Sequence, residues 1–165
     1  MIAFKKTLFT ILLLVLQTAA GETKEIADAV LVVKSEKRLY LMQDGAQLAS
    51  FPVTFGGQPS GHKKERGDQR TPEGHYMLDY KNPNSKFYKS IHISYPNRQD
   101  RINAVQRGVD PGGDIMIHGQ LNGWEWASPL VQFFSWTDGC IALSNRNMDR
   151  VWKAINPGTP IEIRP

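Results

Sequence analysis

The chain of 165 residues contains one cysteine, Cys140. A single cysteine cannot form an intramolecular disulfide, so the chain is not a disulfide-stapled scaffold. The four histidines, His62, His75, His92 and His118, show no HExxH or other spacing typical of metal ligands. We therefore expect no metal site in this chain.

The chain also lacks a strong excess of charge of one sign. It has 20 Lys and Arg residues against 16 Asp and Glu residues, a formal net charge of +4. Two of the lysines lie in the first 20 residues, which contain no acid, so the remainder carries 18 basic and 16 acidic residues. Tracking of phosphates needs a dense basic stripe, so we expect no nucleic-acid partner.

The apolar run near the N-terminus is too short to cross a membrane. Lys5 and Lys6 precede the run at 8–16, and small residues follow at Thr18, Ala19 and Ala20. This pattern is typical of a signal peptide, with cleavage before Gly21. A helix of about 10 residues spans only roughly 15 Å, which disfavours the alternative of an uncleaved anchor. We expect a signal peptide at 1–20, a domain at 21–165, and a periplasmic or secreted protein.

The remaining chain has the pattern of a mainly β domain. Alternating or β-branched apolar residues separated by turn signals predict many short strands. The predicted strands cover 29–33, 38–42, 47–55, 75–80, 90–94, 115–118, 141–143 and 161–163. The polar segment 56–70 is predicted to be a surface loop containing a solvated His62. The pattern favours a β-sandwich or barrel-like domain with a few helices.

Two helices are predicted from their capping residues. Asn97 is a candidate cap for a helix over 98–107 that ends at Gly108. Ser144 or Asn145 is a candidate cap for a second helix that ends at Ile155 and has an apolar stripe on one side.

Cys140 is the candidate nucleophile, and His118 is the best candidate for its base. Attack by a thiol requires an accessible sulfur, a nearby base and N–H groups that face the developing oxyanion. Gly139, directly before Cys140, lets a substrate carbonyl approach the backbone closely. His118 ends an apolar strand and is followed by Gly119. The alternatives are an inert buried cysteine and a histidine without a catalytic role.

These motifs resemble a known family. The sequence Ile-His-Gly at 117–119 and the segment Thr-Asp-Gly-Cys-Ile-Ala-Leu-Ser-Asn at 137–145 resemble the signature of L,D-transpeptidase catalytic domains of the YkuD type. Thr-Pro-Glu-Gly-His-Tyr at 71–76 and Gly-Thr-Pro-Ile at 158–161 resemble two further segments of the family. The resemblance extends from about Ala29 to Ile163. It implies a mostly antiparallel β-sandwich with a small helical part.

The resemblance also implies roles for individual residues. Cys140 would attack a carbonyl of a peptidoglycan stem peptide and form a thioester. His118 would be the general base, oriented by the carbonyl of Gly119. Backbone N–H groups near Asp138 and Gly139 would form the oxyanion hole. No cofactor or metal is implied.

The sequence departs from the family signature at two positions. Asp138 stands where the family has His, and Ala142 stands where an Arg is frequent. A carboxylate beside the nucleophile should raise the pKa of the thiol, so activation would depend more on His118. If His118 pairs with the thiol, a reactive fraction is expected below the ordinary thiol pKa of about 8.5. The candidate substitutes for the missing Arg in substrate binding are Arg66, Arg70, Lys86 and Arg146. Arg146 is favoured because it lies closest in sequence to Cys140.

The spacer at 120–136 is rich in aromatic residues and longer than in most family members. It is predicted to form a wall of the substrate groove or a packed flap, from Trp124, Trp126, Phe133, Phe134 and Trp136. Trp136 and Thr137 are accordingly counted with Arg146 as substrate-binding candidates.

Three functions remain open from the sequence. The first is an exported acyltransferase, the second is a hydrolase on the same scaffold, and the third is a non-catalytic wall-binding domain. Peptidoglycan stem peptides are the expected partners, an envelope lipoprotein is a further candidate, and a monomer is expected.

Overall fold

The computed structural model describes residues 26–123 and 136–165, and the predicted signal peptide lies outside these residues. Within the described residues, eight strands and two helices form a mainly β domain, which confirms the predicted fold class. The strands are β1 (Ala29–Val33), β2 (Arg38–Gln43), β3 (Ala46–Pro52), β4 (Gly74–Asn82), β5 (Ser90–Ile93), β6 (Met116–His118), β7 (Ile141–Ala142) and β8 (Thr159–Arg164). The helices are α1 (Arg98–Arg107) and α2 (Asn145–Ala154).

The strands form one curled sheet in the order β3-β2-β1-β8-β4-β5-β6-β7. The β1–β8 and β6–β7 pairs are parallel, and the other neighbours are antiparallel. The curl brings the two edges together, because Thr54, just after β3, exchanges two backbone hydrogen bonds of 2.9 Å with Ala142 in β7. Gly56 forms a further bridge with Thr137. The start of the segment after β3 is thereby fixed against the segment that carries Cys140.

Alternation of apolar residues produces the core, as the sequence pattern predicts. Val30 and Val32 in β1, and Ile161 and Ile163 in β8, are buried, whereas their neighbours along each strand are more exposed. Successive side chains of a strand point to opposite faces of the sheet, so a sheet with one buried face has a buried residue at every second position. Helix α2 covers the core with its apolar stripe, which consists of Met148, Val151 and Ala154.

Both helices begin and end at capping residues. Asn97 and Asp100 form a reciprocal capping box at the start of α1, and Gly108 ends the helix in the left-handed conformation with φ of 68°. Ser144 caps α2 by accepting a hydrogen bond from the amide of Asn147. Among the described residues, no helix has both the length and the apolar composition needed to cross a membrane.

The segment 56–70 contains no helix or strand and is mostly exposed, as a surface loop should be, but some of its polar residues are held by specific partners. Lys63 is buried and forms an ion pair of 2.7 Å with Asp68. His62, which the sequence pattern predicts to be solvated, lies 3.1 Å from Asp100, and the same carboxylate accepts a hydrogen bond from Tyr76. The prediction that His62 is solvated is wrong because its ring meets the carboxylate of Asp100, which is distant in sequence.

Closure of the sheet depends on the absence of a side chain at Gly56. A Cβ there would lie 2.1 Å from the carbonyl oxygen of Gln69 and 2.7 Å from that of Thr137. Gly56→Ala should therefore lower the free energy of unfolding by about 1–3 kcal/mol or more, because backbone must move to admit the methyl group. Urea denaturation measures this loss. The control is Gly113→Ala, whose Cβ would meet its nearest neighbour at 3.9 Å; an equal loss in both variants would contradict the account.

Candidate active site

Two neighbouring parallel strands bring His118 and Cys140 together. His118 ends β6, and Cys140 directly precedes β7. The register pairs Ile117 with Ile141 and His118 with Ala142, so the two candidate residues lie two positions apart along adjacent strands. Residues two positions apart face the same side of a sheet. Both side chains line one cleft of about 570 Å³.

The His118 imidazole is buried and held in one tautomer. Its exposed fraction is 2%, and Nδ1 lies 2.5 Å from the carbonyl oxygen of Gly119. A carbonyl oxygen only accepts, so Nδ1 carries the proton and donates it, and Nε2 of the neutral ring is left as a proton acceptor. Burial lowers the pKa of His118 to about 4, against the smaller opposing effect of the bond to Gly119. At neutral pH, His118 is therefore an uncharged base.

Aromatic residues enclose the imidazole. Phe87 stacks on the ring of His118 at a centroid distance of 4.4 Å, and the Trp136 ring meets it edge-on at 5.6 Å. These contacts exclude water from the imidazole, which explains the direction of its pKa.

Gly119 is confined too closely to carry a side chain. Its amide donates a 2.8 Å hydrogen bond to the carbonyl of Tyr88. A Cβ would lie 2.5 Å from that carbonyl oxygen and 2.7 Å from Oδ1 of Asn145. The same Oδ1 accepts a hydrogen bond of 2.9 Å from the amide of Gln120. Asn145 thus contacts the backbone on both sides of the Gly119 carbonyl, which orients His118. The sequence did not indicate this role of Asn145.

The thiol of Cys140 is held as a neutral group. Sγ accepts a hydrogen bond from the amide of Met116 at 3.4 Å and donates to the carbonyl of Asp114 at 3.6 Å. Burial has the largest effect on the pKa of the thiol and raises it. The hydrogen bond from the Met116 amide lowers the pKa, and the charges of Asp138 and Asp114 raise it further. The predicted effect of Asp138 is confirmed, although burial exceeds it.

Cys140 and His118 therefore do not form a thiolate–imidazolium pair in the free protein. The thiol pKa is raised and that of His118 is lowered, so both groups are uncharged at neutral pH. The expected fraction of thiolate below the ordinary pKa is wrong for the free protein, because burial disfavours both charged forms. A thiol that served as a nucleophile from this resting state would have to lose its proton during attack.

The loop that carries Cys140 is fixed by Thr137 and Gly139. Oγ1 of Thr137 donates to the carbonyl of Cys140 at 2.7 Å and accepts from the amide of Gly139 at 3.3 Å. Gly139 has φ of +113°, and a Cβ there would lie 2.4 Å from the carbonyl oxygen of Arg70. Asp138, between them, is exposed. Only glycine fits this turn, so the backbone geometry at the nucleophile is set by sterics.

The cleft contains some of the predicted substrate-binding residues but not Arg146. Trp136 and Thr137 line it, whereas Arg146 is exposed in the first turn of α2 and is not among the lining residues. The basic residue among the described lining residues is Lys86, with Nζ 5.5 Å from the centre of the Phe87 ring. Lys86 is thus the one of the four candidate cations that lines the cleft. No local sequence signal indicated Phe87, which lies about 30 positions before His118.

The other spacer residues predicted to line the groove lie outside the described residues. They are Trp124, Trp126, Phe133 and Phe134. Across 26–123 and 136–165, no group of three or more His, Cys, Asp or Glu residues is placed to hold a metal ion.

Comparison with known proteins identifies similar sequences and structures. The model of the YkuD family, described as the L,D-transpeptidase catalytic domain, matches residues 27–163. YafK of Escherichia coli K12, whose name assigns it provisionally to the L,D-transpeptidases, is 29% identical over 130 residues, which cover 75% of this chain and 45% of YafK.

Solved structures show the same fold. The helical cell shape determining protein Pgp2 of Campylobacter jejuni is 30% identical, with a TM-score of 0.62 over 82% of this chain and 46% of Pgp2. L,D-transpeptidase 3 of Mycobacterium tuberculosis is 15% identical, with a TM-score of 0.55 over 83% of this chain and 60% of that protein. The chain spans about half the length of YafK and Pgp2.

The low pKa of His118 predicts a pH dependence of stability. Between the ordinary pKa of 6.5 and the folded-state value of about 4, the unfolded chain binds a proton that the folded chain does not. The contribution of the neutral His118 to the free energy of unfolding is therefore complete above pH 6.5. It is lost as the pH falls toward 4, by about 3 kcal/mol in total.

Chemical denaturation of wild type and His118→Gln at pH 7 and pH 4 tests this prediction. Between pH 7 and pH 4, the free energy of unfolding of the wild type should fall by about 3 kcal/mol more than that of His118→Gln. The control is His75→Gln at an exposed position, which should keep the wild-type pH dependence. If the free energy of unfolding falls equally with pH in the wild type and in His118→Gln, then His118 is not buried as a neutral base.

Proposed function

The chain belongs to the family of L,D-transpeptidase catalytic domains, and from this premise we propose that it is an exported cysteine acyltransferase acting on peptidoglycan stem peptides. The observation that carries the proposal is the neutral His118, held by Gly119 in the tautomer that leaves Nε2 free to accept a proton, in the same cleft as Cys140. A nucleophile, a base and an orienting group are the parts that acyl transfer through a thiol requires.

The proposed first step acylates Cys140. The thiol gives its proton to Nε2 of His118 as Sγ attacks the carbonyl carbon of the stem peptide. The C–N bond to the residue that follows then breaks, and His118 returns the proton to the leaving amine. Because His118 begins uncharged, it can accept a proton at neutral pH.

Backbone amides beside the nucleophile are proposed to stabilise the oxyanion. The turn Asp138–Gly139 fixes the direction of these amides, which is what preorganised stabilisation requires. The Gly139 amide makes only a long bond of 3.3 Å to Thr137, and a developing oxyanion would be a stronger acceptor.

The second step releases the acyl group to a second nucleophile. An amine gives transfer, and water gives hydrolysis on the same scaffold. A domain that binds the wall without catalysis is the remaining alternative. We further propose export by the segment 1–20 and location in the periplasm or outside the cell, on the pattern of two lysines, a short apolar run and small residues.

Removal of the thiol should abolish turnover, and removal of the base should lower it strongly. Cys140→Ser replaces the thiol with a poorer nucleophile, and His118→Ala should cost about 10²- to 10⁴-fold in kcat/KM. The double variant should lose little more than the worse single variant, because the two residues act as one unit. The measurement is mass spectrometry of products from purified stem peptides, with His75→Ala as the control.

The same assay separates the alternatives. Joined peptides show transfer, and shortened peptides show hydrolysis. Equal product formation by wild type and Cys140→Ser would contradict a thioester mechanism, and no turnover by the wild type would favour a binding domain.

Lys86 is proposed to contact a substrate carboxylate in place of Arg146. It is an exposed cation at the wall of the cleft, so the contact is worth little more than a surface ion pair. Lys86→Gln should lower kcat/KM by about twofold to fivefold. Arg146→Gln removes the same charge outside the cleft and should have no effect. The opposite ranking of the two variants would restore the role of Arg146.

A further inference from the structure

Four exposed side chains on one side of helix α1 form a basic-aliphatic face. They follow the spacing i, i+3, i+4 and i+7, which places side chains on the same side of a helix. They are Arg98, Arg101, Ile102 and Val105. The exposed fraction is 79% for Val105 and 39% for Ile102. Two aliphatic side chains therefore meet solvent beside two cations.

The other side of α1 faces the protein. Asp100 and Ala104 are the buried residues of the helix. Asp100 is also the only acidic residue of α1, and its carboxylate accepts hydrogen bonds from the Asn97 amide at 2.9 Å and from the Tyr76 hydroxyl at 3.0 Å. The exposed surface of α1 consequently contains no carboxylate.

The two arginines of the basic-aliphatic face are not neutralised by neighbouring acids. Within residues 26–123 and 136–165, neither Arg98 nor Arg101 forms an ion pair. By contrast, Nε of Arg66 lies 2.7 Å from the carboxylate of Asp110. Both charges of the face are thus available to a negatively charged partner.

Further cations lie near the C-terminal end of α1. Nη2 of Arg107 donates to the carbonyl of Lys64 at 3.1 Å, and both residues are exposed. Glu65 adds one exposed carboxylate, and the charges of Arg66 and Asp110 offset each other. The region around α1 is therefore positive overall.

Burial within the fold does not account for Ile102 and Val105. β-branched side chains lose rotamer freedom in a helix and lower its stability slightly. An aliphatic side chain stabilises a fold by leaving water, yet Val105 remains largely in water with Ile102 partly exposed beside it. A partner surface that covers both side chains would gain apolar contact without disturbing the core.

We infer that the basic-aliphatic face docks on an anionic phospholipid bilayer. Arg98 and Arg101 pair with lipid phosphates, and the two aliphatic side chains enter the boundary between headgroups and acyl chains. The charges are complementary, because an anionic lipid surface attracts each cation that lies close to it. With two arginines and two aliphatic residues, the attachment is peripheral and reversible.

A soluble anionic polymer is the competing partner. Such a polymer would contact the arginines alone and would leave Ile102 and Val105 in water. The aliphatic pair therefore favours the bilayer. The inference goes beyond the proposed function, because it concerns attachment and no step of it involves Cys140 or His118.

Co-sedimentation of the full chain with vesicles tests the inference. Vesicles of phosphatidylglycerol and phosphatidylcholine are compared with vesicles of phosphatidylcholine alone, at low and at high salt. The partition coefficient should be larger on the anionic vesicles by about tenfold or more, and high salt should reduce this difference. The apolar run at 8–16 is the same in every variant, and any binding through it would persist on the neutral vesicles.

Paired variants separate the charge from the apolar contact. Arg98→Gln with Arg101→Gln should lower the partition coefficient on anionic vesicles by about tenfold or more. Ile102→Thr with Val105→Thr keeps β-branched side chains in the helix and should lower this coefficient by about threefold to tenfold.

The matched control removes the same charge from another helix. Arg146→Gln with Lys153→Gln changes two exposed cations of α2 and should alter the partition coefficient by less than about twofold. Circular dichroism should show that every variant is folded, because all the substituted positions are exposed.

Three outcomes would overturn the inference. Equal binding of the wild type to both kinds of vesicle, or no binding, shows that α1 does not recognise anionic lipid. An equal loss in the α2 control shows that net charge acts and not the basic-aliphatic face. Full binding by the threonine variant shows that the face binds negative charge alone, as it would on a soluble polymer.

Discussion

The hydrogen bond from Nδ1 of His118 to the carbonyl of Gly119 is the constraint on which the site depends. It fixes the tautomer in which Nε2 is unprotonated and can accept a proton. The carbonyl itself is held because the Gly119 amide bonds to Tyr88 and Asn145 packs against the same glycine. Tyr88 in turn donates through its hydroxyl to Asp149 of α2 at 2.9 Å. The helix thus supports the orientation of the base although it contributes no group to the proposed proton transfer.

Burial decides the charge state of the nucleophile and base. Removing both groups from water disfavours thiolate and imidazolium alike, so the resting site is uncharged. A neutral thiol is less prone to oxidation than a thiolate. For the proposed reaction, the thiol would have to be deprotonated during attack. The charge of Asp138 raises the pKa of the thiol further and makes that step harder.

Much of the fold could be predicted because its signals are local. The period of two in β1 and β8 and the caps at Asn97 and Ser144 depend on residues a few positions apart. The pairing of His118 with Cys140 was also available, from the motifs around each residue. Contacts between distant segments could not be predicted, because no pattern in the sequence encodes which loops lie together in the fold. Examples are Phe87 stacking on His118 and His62 pairing with Asp100.

Arg146 illustrates a second limit of sequence reasoning. Closeness in sequence to Cys140 suggested it, yet successive residues of a helix point about 100° apart. Asn145 faces the site and bonds to Gln120, and the next residue is consequently turned to solvent. Lys86 reaches the cleft from the connection between β4 and β5. This connection is held by backbone bonds to residues after β6, such as the bond from the amide of Asn122 to the carbonyl of Lys86, and these residues are distant in sequence.

In the resting site, His118 is a neutral imidazole with its proton on Nδ1. Nitrogen NMR of the ¹⁵N-labelled wild-type protein measures this directly, because the two ring nitrogens report protonation separately. The account predicts the Nδ1–H tautomer from pH 8 down to about pH 5, with titration near the pKa of about 4. An Nε2–H tautomer, or an imidazolium already formed at neutral pH, would contradict it.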